Sequence, residues 1–379
     1  MKDWQHGYEL DTLAAIARLY ETYNRYSASV FSQVRPNVVA RLLHEGKLHV
    51  LPTIESAPGS AYAMAISKVT TPITMYQDVV IGVKQPGDVT LTHLAGEHTL
   101  LIEALRSQQD QTCWACVFVE DEDINQLLMD EGFIRIGTKI STFAEMSFIY
   151  LRERSASLSL FGDGRAKALD PAEAIHIKRL GTIDPNVLAA LTARVNDSDL
   201  RFTNHYSNYN KSKSWSAVSL RGFLPDPLFI AKPVEMSKKW KAENISKAFA
   251  LEDTPLMQDF PEVPAIISEY ADAAERVRLM ALAYGGGELT KHTDQVDPDT
   301  GVRLGNNARL HIPIITNPDV VFTSWGLDGQ PTRVTMQPGD VWYLDTRKPH
   351  TAVNRGQTRR VHLVIDVIVT ERFRARLLA

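Results

Sequence analysis

The chain has 379 residues, of which 44% are hydrophobic and 23% are charged. This composition is typical of a globular protein and excludes a disordered or fibrous chain. The formal net charge is only −4, so a nucleic acid or an acidic membrane would have to be bound by a local patch. The sequence has no apolar run of about 18 residues and no signal-peptide pattern, which predicts a cytoplasmic protein with no membrane partner.

The first 155 residues are predicted to form an α/β unit. Apolar spacing predicts helices at residues 10–25, 38–45, 97–108 and 121–132, strand-like segments between 47 and 94, and strands at 113–120, 133–143 and 146–154. The helix at 121–132 is expected to end at Gly132, because glycine commonly closes helices. Helices and strands that alternate in this way indicate an α/β or α+β domain.

Both cysteines of the chain, Cys113 and Cys116, lie in one C-x-x-C motif. A redox motif of this kind normally opens a helix, whose N-terminus lowers the pKa of a thiol. Here the neighbours are apolar, aromatic and β-branched, which favours a buried strand, and free cysteine is often buried. We therefore predict a structural role for both cysteines.

The closing part of this unit, a strand and an acidic helix followed by EGFIRIGTKI, resembles the GNAT acyltransferases. The resemblance implies a GNAT-like α/β domain over residues 1–155. In that family a glycine-rich turn of the type Q/R-x-x-G-x-G/A presents backbone amides to the pyrophosphate of acyl-CoA. The nearest segment here is GVKQPGD, in which Pro86 removes an amide donor. We therefore expect no acyl-CoA activity, and a role in recognition or packing.

The rest of the chain is predicted to form a second domain, residues 176–379, after a linker at residues 156–175 rich in Ser, Gly and Ala. A helix is predicted at residues 263–277. From Arg278 onward the chain is a series of short strands separated by Gly, Pro, Asn and Asp. This pattern predicts an antiparallel double-stranded β-helix, or jelly roll, flanked by helices, and so an α+β protein.

Three metal-capable side chains stand in this strand-rich region. His292 and Asp294 are one residue apart, so they point to the same face of an extended segment. His350 follows 58 residues after His292. Two histidines and a carboxylate on one face leave open positions on a metal, as non-haem Fe(II) oxygenases require. A lone H-x-D motif is more often a surface loop, so the prediction depends on all three together.

An arginine pair follows ten residues after the last of these histidines. Arg360 can hold the far carboxylate of a co-substrate through two parallel hydrogen bonds. Its neighbour Arg359 must face the opposite way on a strand, and a slip of one residue would exchange the two.

Residues from about 200 to 370 resemble the aspartyl/asparaginyl β-hydroxylase and proline hydroxylase branch of the Fe(II)/2-oxoglutarate dioxygenases. The segments KHTD, ARLHIPI, PGDVWYLDTRKPHTAVN and RRVHLVID carry the resemblance. It implies that His292, Asp294 and His350 bind iron and that Arg360 anchors 2-oxoglutarate.

The resemblance also implies that Arg309 and His311 help to hold 2-oxoglutarate or substrate. Arg309 could instead pair with an acid across the sheet, and His311 and His362 could be buried structural histidines. The implied cofactors are Fe(II), 2-oxoglutarate and O2, and the implied reaction is hydroxylation of an unactivated C–H bond, with succinate and CO2 as co-products. Halogenases of this superfamily lack the carboxylate that Asp294 supplies, so hydroxylation is favoured.

The substrate is expected to be amino-acid-like or peptide-borne. Asn208, Trp215 and Arg221 suit a polar, carboxylated molecule, although Trp215 could be sheet core and Arg221 a surface ion pair. For a free amino acid, Arg221 or Arg309 would bind the carboxylate, and Asp345 or Glu288 would bind the ammonium group.

A lysine-rich segment leaves other partners open. Residues 232–247 place lysines around Trp240, a pattern that can bind single-stranded nucleic acid but is more often a solvated helix face. Two further hypotheses therefore stand beside the amino-acid hydroxylase. One is the same chemistry on a nucleobase, a carrier protein or another macromolecule held by the N-terminal domain. The other is a metal-free or zinc-bearing jelly roll without turnover.

Overall fold

The structure is a computed structural model of the chain. It describes residues 21, 24–26, 62–67, 72–76, 79–154, 165–197, 200–206, 210, 212–246, 249–295 and 297–379. The helices predicted at residues 10–25 and 38–45 lie almost wholly outside these ranges. The chain divides into two compact units, Met1–Leu169 and Asp170–Ala379.

The first unit is a mixed sheet with two helices. Its elements are β1 (Tyr62–Ser67), β2 (Pro72–Thr74), β3 (Val80–Val83), β4 (Val89–Gly96), α1 (His98–Arg106), β5 (Cys113–Phe118), α2 (Glu122–Asp130), β6 (Ile134–Ile140) and β7 (Met146–Arg152). Five strands form one sheet in the order β1-β4-β5-β7-β6, and β2 pairs with β3. Only the β4–β5 pair is parallel among the strand pairs described. Both cysteines lie in β5 with free thiols whose pKa is raised by burial, which confirms the predicted strand.

Local sequence explains both helices of this unit. In α1 the buried residues Leu101 and Leu105 lie four positions apart and pack into the core of the sheet. Helix α2 ends as predicted, because Gly132 adopts a positive φ of 81° and its amide donates to the carbonyl of Met129. That left-handed conformation costs glycine little.

The predicted linker at 156–175 is wrong at its C-terminal end. Helix α3 (Pro171–Ala174) lies there, and the Asp170 side chain accepts a hydrogen bond from the amide of Ala172. Asp170 also pairs with Arg374 at 2.8 Å. These contacts tie residues 170–175 to the second unit, because their charged side chains find partners there.

The second unit contains two antiparallel sheets and several helices. Its remaining elements are β8 (Ile177–Thr182), α4 (Pro185–Asp197), β9 (Thr203–Asn204), β10 (Trp215–Gly222), α5 (Lys238–Glu243), β11 (Glu252–Asp253), α6 (Val263–Tyr270), β12 (Ala274–Leu282), β13 (Gly287–His292), β14 (Asn307–Ile315), β15 (Val320–Trp325), β16 (Pro331–Val334), β17 (Asp340–Leu344), β18 (His350–Asn354), β19 (Arg360–Ile368) and α7 (Glu371–Leu378). No helix in the described ranges is long and apolar enough to cross a lipid bilayer.

From β12 onward, successive strands belong mostly alternately to the larger and to the smaller sheet. The larger sheet has the order β11-β10-β12-β19-β14-β17-β8, with β9 paired to β10. The smaller sheet has the order β13-β18-β15-β16. Between β12 and β19 the chain crosses from one sheet to the other at nearly every connection.

Strand alternation separates two apolar clusters on the larger sheet. In β12, Leu279 belongs to the outer cluster, together with residues of α4, α6 and α7, whereas Met280 and Leu282 belong to the inner cluster. The inner cluster includes Leu289 and Phe322 from the smaller sheet. One face of the larger sheet is therefore covered by helices, and the other faces the smaller sheet.

The helix predicted at 263–277 is shorter in the structure. It ends at Tyr270, and the strand β12 begins at Ala274. The sequence ADAAER favours a helix locally. However, β12 pairs with β10 on one side and β19 on the other, and this pairing outweighs the local preference.

Candidate active site

Three side chains converge where the smaller sheet meets the loop after β13. His292 ends β13 and His350 begins β18, and the register pairs these two residues directly. Asp294 follows His292 by two residues, with its Oδ1 3.8 Å from Nε2 of His292. The potential ligand atoms of His292, Asp294 and His350 all lie within 4.8 Å of one another. This spacing suits three ligands of one metal ion.

Backbone carbonyls fix the tautomer of both histidines. Nδ1 of His292 lies 2.6 Å from the carbonyl oxygen of Thr290, and Nδ1 of His350 lies 3.0 Å from that of Lys348. A carbonyl can only accept, so in the neutral rings each Nδ1 carries the hydrogen and each Nε2 carries the lone pair. Burial and the neighbouring His292 lower the pKa of His350 to about 3. His350 is therefore a neutral ligand at physiological pH.

Asp294 is held by one backbone and one side-chain contact. Its amide donates to the carbonyl of Thr346 at 2.7 Å, and its Oδ2 accepts from Nη1 of Arg309 at 2.6 Å. Burial alone would raise the pKa of Asp294, but Arg309 and the two histidines outweigh it and hold the pKa below its ordinary value. The carboxylate is therefore ionised, and Oδ1 is directed toward His292.

A buried ion cluster holds the loop before His350. Arg347 pairs with Glu173 and Asp345, and Nζ of Lys348 donates to the carbonyls of Glu173 and Ile175. Asp345 is thus committed to this cluster and does not line the cavity. Glu288, the other residue predicted for an ammonium group, is exposed.

A cavity opens beside the triad, between the two sheets. The predicted site residues that line it are His292, Asp294, His350, Arg309, His311, Arg360 and Trp215. Apolar residues that the sequence analysis did not single out complete the wall, among them Leu289, Phe322 and Leu344. Leu289 stands between the polar residues Glu288 and Thr290, a signal that could have found it, whereas Phe322 and Leu344 follow apolar neighbours and carry no such signal.

Arg360 has the properties of an anion-binding residue. It is 2% exposed, and its Nε has no hydrogen-bond partner in the part of the chain that the structure describes. Burial lowers its pKa to about 10, still charged at neutral pH. Arg359 faces away and donates to the carbonyl of Val195. A bound dicarboxylate would satisfy Arg360, so the residues fit 2-oxoglutarate at this end of the cavity.

Arg309 connects the metal-binding carboxylate to a second buried carboxylate. Its Nε donates to Oδ1 of Asp366 at 2.8 Å, opposite Asp294 on the other side of the guanidinium. Oδ2 of Asp366 also accepts from Arg276 and Arg278, each at 2.9 Å. Sequence reasoning missed these three residues. Their period of two in β12 and β19, on the same face as Arg360, was the available signal.

His311 faces the cavity next to a second buried histidine. Its Nδ1 lies 3.4 Å from Nδ1 of His362. Burial and the Arg360 charge hold the pKa of both rings well below the ordinary value. Both are neutral, so one of the two nitrogens donates to the other. His362 does not line the cavity, in keeping with a structural role.

The three predicted substrate residues have different positions. Trp215 lines the cavity. Arg221 lies outside it and pairs with the exposed Asp253 at 2.8 Å, as expected of a surface ion pair. Asn208 falls outside the described residues.

Within its described part, the lysine-rich segment has one buried lysine, whereas Lys238, Lys239 and Lys241 are exposed on α5. Lys232 is buried and pairs with Glu275 and Asp297. The ring of Trp240 stacks on Phe229 and contacts Phe249, with centroids 5.7 and 5.4 Å apart. The aromatic ring that would stack on a base is therefore already engaged.

Comparison with known proteins addresses what this site does. The sequence model of the aspartyl/asparaginyl beta-hydroxylases matches residues 181–370, which is half of the chain. The chain belongs to this family. It is accordingly a hydroxylase enzyme, and family membership implies iron and 2-oxoglutarate as cofactors. No curated protein sequence matches the chain.

Several solved structures are also similar to this chain, each at low sequence identity. An oxidoreductase of the 2OG-Fe(II) oxygenase family from Burkholderia pseudomallei is 11% identical, with a TM-score of 0.34, over 48% of this chain and 78% of that one. A prolyl-4-hydroxylase from Pseudomonas putida is 12% identical, with a TM-score of 0.28, over 51% and 91%. A GNAT-family acetyltransferase from Bacillus cereus is 13% identical, with a TM-score of 0.26, over 39% and 94%.

Proposed function

We propose that this hydroxylase uses Fe(II), 2-oxoglutarate and O2 to hydroxylate an unactivated C–H bond of an amino-acid-like or peptide-borne substrate, with succinate and CO2 as co-products. One observation carries the proposal. The three metal-capable side chains share a cavity with Arg360, a buried arginine without a carboxylate partner in the described chain.

The proposed folds follow from the strand order. The alternation of β12 to β19 between two antiparallel sheets supports a double-stranded β-helix for residues 170–379. The parallel β4–β5 pair and the helices around it support a GNAT-like fold for the first unit. Pro86 remains the reason to expect no acyl-CoA activity there.

The residues of this chain would divide the work as follows. His292, Asp294 and His350 would hold the iron, which together with 2-oxoglutarate and O2 supplies the oxidising chemistry. Arg360 would bind the far carboxylate of 2-oxoglutarate. Arg309 would keep the Asp294 carboxylate ionised and oriented. Because Asp294 occupies the position that halogenases leave open for chloride, hydroxylation is the proposed outcome.

Apolar residues would keep water from the reacting atoms. Leu289 and Phe322 line the cavity from the smaller sheet, and the Phe322 ring stacks on His350 with centroids 5.9 Å apart. Apolar walls of this kind would exclude water from the reacting atoms and so limit side reactions.

The two arginines predicted to bind a carboxylate of the substrate already have carboxylate partners in the protein. Arg221 and Arg309, predicted for this role, are committed to Asp253 and to two buried carboxylates. Arg278 is buried, and its Nε has no hydrogen-bond partner within the described residues. Burial and the Arg278 charge lower the pKa of His205, a ring that stacks on the cavity residue Trp215.

An anaerobic titration tests the reaction class. Fe(II) and 2-oxoglutarate are added to the full chain, and the visible charge-transfer band is recorded, with Asp294→Ala as the control. Oxygen is then admitted with amino acids and peptides, and succinate is measured. We expect the band only in the wild type. A wild-type protein that gives neither the band nor substrate-stimulated succinate would contradict the proposal.

A further inference from the structure

The indole nitrogen of Trp215 is another buried donor that has no acceptor among the described residues. Trp215 is 9% exposed, and its Nε1 has no hydrogen-bond partner among the described residues. An indole N–H can only donate, and leaving it unpaired in a buried position costs about 1–3 kcal/mol. Trp215 lines the same cavity as Arg360, whose Nε lacks a partner as well. A ligand with hydrogen-bond acceptors would therefore satisfy the N–H groups of both residues.

Sheet register places these two residues side by side. Trp215 in β10 lies opposite Leu282 in β12, and Leu282 lies opposite Arg360 in β19. Residues directly opposite in antiparallel strands project from the same face. With about 4.8 Å between neighbouring strands, the two backbones are about 10 Å apart, with only the apolar Leu282 between them. Both long side chains line the same cavity, so one ligand group in it can contact both.

The structure also holds Trp215 in place before any ligand arrives. Asn210 accepts from the Trp215 amide at 2.9 Å and donates to the Trp215 carbonyl at 2.7 Å. His205 stacks on the indole ring, with centroids 3.5 Å apart and planes inclined by 17°. A ring held in this way is restrained from rotating toward another acceptor. Because the N–H donor is already oriented, binding a ligand to it costs less entropy.

We propose that Nε1 of Trp215 donates a hydrogen bond to the carboxylate that Arg360 binds. On the proposed function, on which this inference rests, that group is the far carboxylate of 2-oxoglutarate. A carboxylate has about four acceptor positions, enough for a guanidinium and an indole together. Trp215 then contributes to the selection of the co-substrate.

Calorimetric titration of the Mn(II)-loaded full chain without oxygen tests the assignment. Two ligands are compared: 2-oxoglutarate, and 2-oxopentanoate, which ends in a methyl group instead of the far carboxylate. Trp215→Phe keeps an aromatic ring and removes the N–H. We expect it to weaken 2-oxoglutarate binding about tenfold, as for a hydrogen bond to a charged group, and to leave 2-oxopentanoate binding unchanged.

Trp342→Phe is the matched control. Trp342 is also on the larger sheet but does not line the cavity, and its Nε1 already has Asp340 as acceptor at 3.4 Å. The control should bind both ligands as the wild type does. Trp215→Phe that binds 2-oxoglutarate normally, or loses affinity equally for both ligands, would overturn the inference. A wild-type protein that does not bind 2-oxoglutarate would overturn the proposed function instead.

A measurement on the unaltered protein covers the case in which Trp215→Phe does not fold. In the Zn(II)-loaded chain, the assigned indole ¹H–¹⁵N signal of Trp215 should move downfield with 2-oxoglutarate and much less with 2-oxopentanoate. Equal shifts with both ligands, or none, would refute the hydrogen bond.

Discussion

The Asp294 carboxylate faces two partners. One oxygen is directed toward His292, and the other accepts from Arg309 at 2.6 Å. In the proposed centre the first oxygen binds iron and the second keeps the carboxylate from rotating. Carboxylate ligands are commonly held in this way by a hydrogen-bond donor behind them.

Replacing Asp294 with Ala removes a proposed iron ligand and leaves Arg309 with one of its two carboxylate partners. We expect hydroxylation to be lost and Mn(II) affinity, measured by calorimetry, to fall by about a hundredfold or more. Asp299→Ala, an exposed aspartate of the same loop, should bind Mn(II) normally. Hydroxylation retained by Asp294→Ala would contradict the ligand role.

The second residue-scale prediction separates two adjacent arginines. Arg360→Ala should raise the Kd for 2-oxoglutarate by roughly thirtyfold or more, because a buried charged partner contributes about 2 kcal/mol or more. Arg359→Ala is the matched control, since Arg359 faces away from the cavity and donates to the carbonyl of Val195. Equal affinity for wild type and Arg360→Ala in anaerobic calorimetry would remove Arg360 from the site.

At the scale of elements, β12, β14 and β19 share one buried carboxylate. Asp366 in β19 binds Arg276 and Arg278 of β12 and Arg309 of β14. Although burial opposes ionisation, the three guanidinium groups hold the pKa of Asp366 well below its ordinary value. Without it, the buried Arg278 would have no carboxylate partner among the described residues, and Arg309 would lose the contact that keeps it directed at Asp294.

Asp366→Asn should therefore destabilise the sheet and loosen the site. Removing one member of a buried ion network costs about 3–5 kcal/mol. In a unit of this size that corresponds to a fall in Tm on the order of 6–20 °C by calorimetric scanning. Asp253→Asn breaks an exposed pair on the same sheet and should cost less than about 1 kcal/mol. Similar losses for both variants would argue against the network.

At the scale of the whole molecule, all residues that line the cavity lie within Asp170–Ala379. That unit also has its own apolar cores. A region with its own core can fold alone.

We expect residues 170–379 to fold when expressed alone and to bind 2-oxoglutarate, with Mn(II) present, within about threefold of the full chain. Circular dichroism and calorimetry would measure both properties. A fragment that folds but does not bind would show that the first unit contributes to the site. Turnover reduced only for large substrates would favour delivery by the first unit.

Short-range spacing in the sequence was sufficient to determine several features of this protein. The alternation of side chains on an extended chain put His292 and Asp294 on one face, and apolar neighbours put Cys113 in a buried strand. Gly132 closed its helix because no other residue adopts a left-handed conformation so readily. Each of these depends on the preference of a few adjacent residues, which the sequence states directly.

The tertiary structure alone decided which charged groups meet. The strand pairing of β19 turned Arg360 inward and Arg359 outward, a choice that a shift of one residue would reverse. It also placed Asp366 among three arginines and Arg221 at the surface, beside Asp253. Strand register, together with the cost of burying an unpaired charge, brings together partners that lie tens of residues apart in the chain. Neither factor can be inferred from the residues next to each partner.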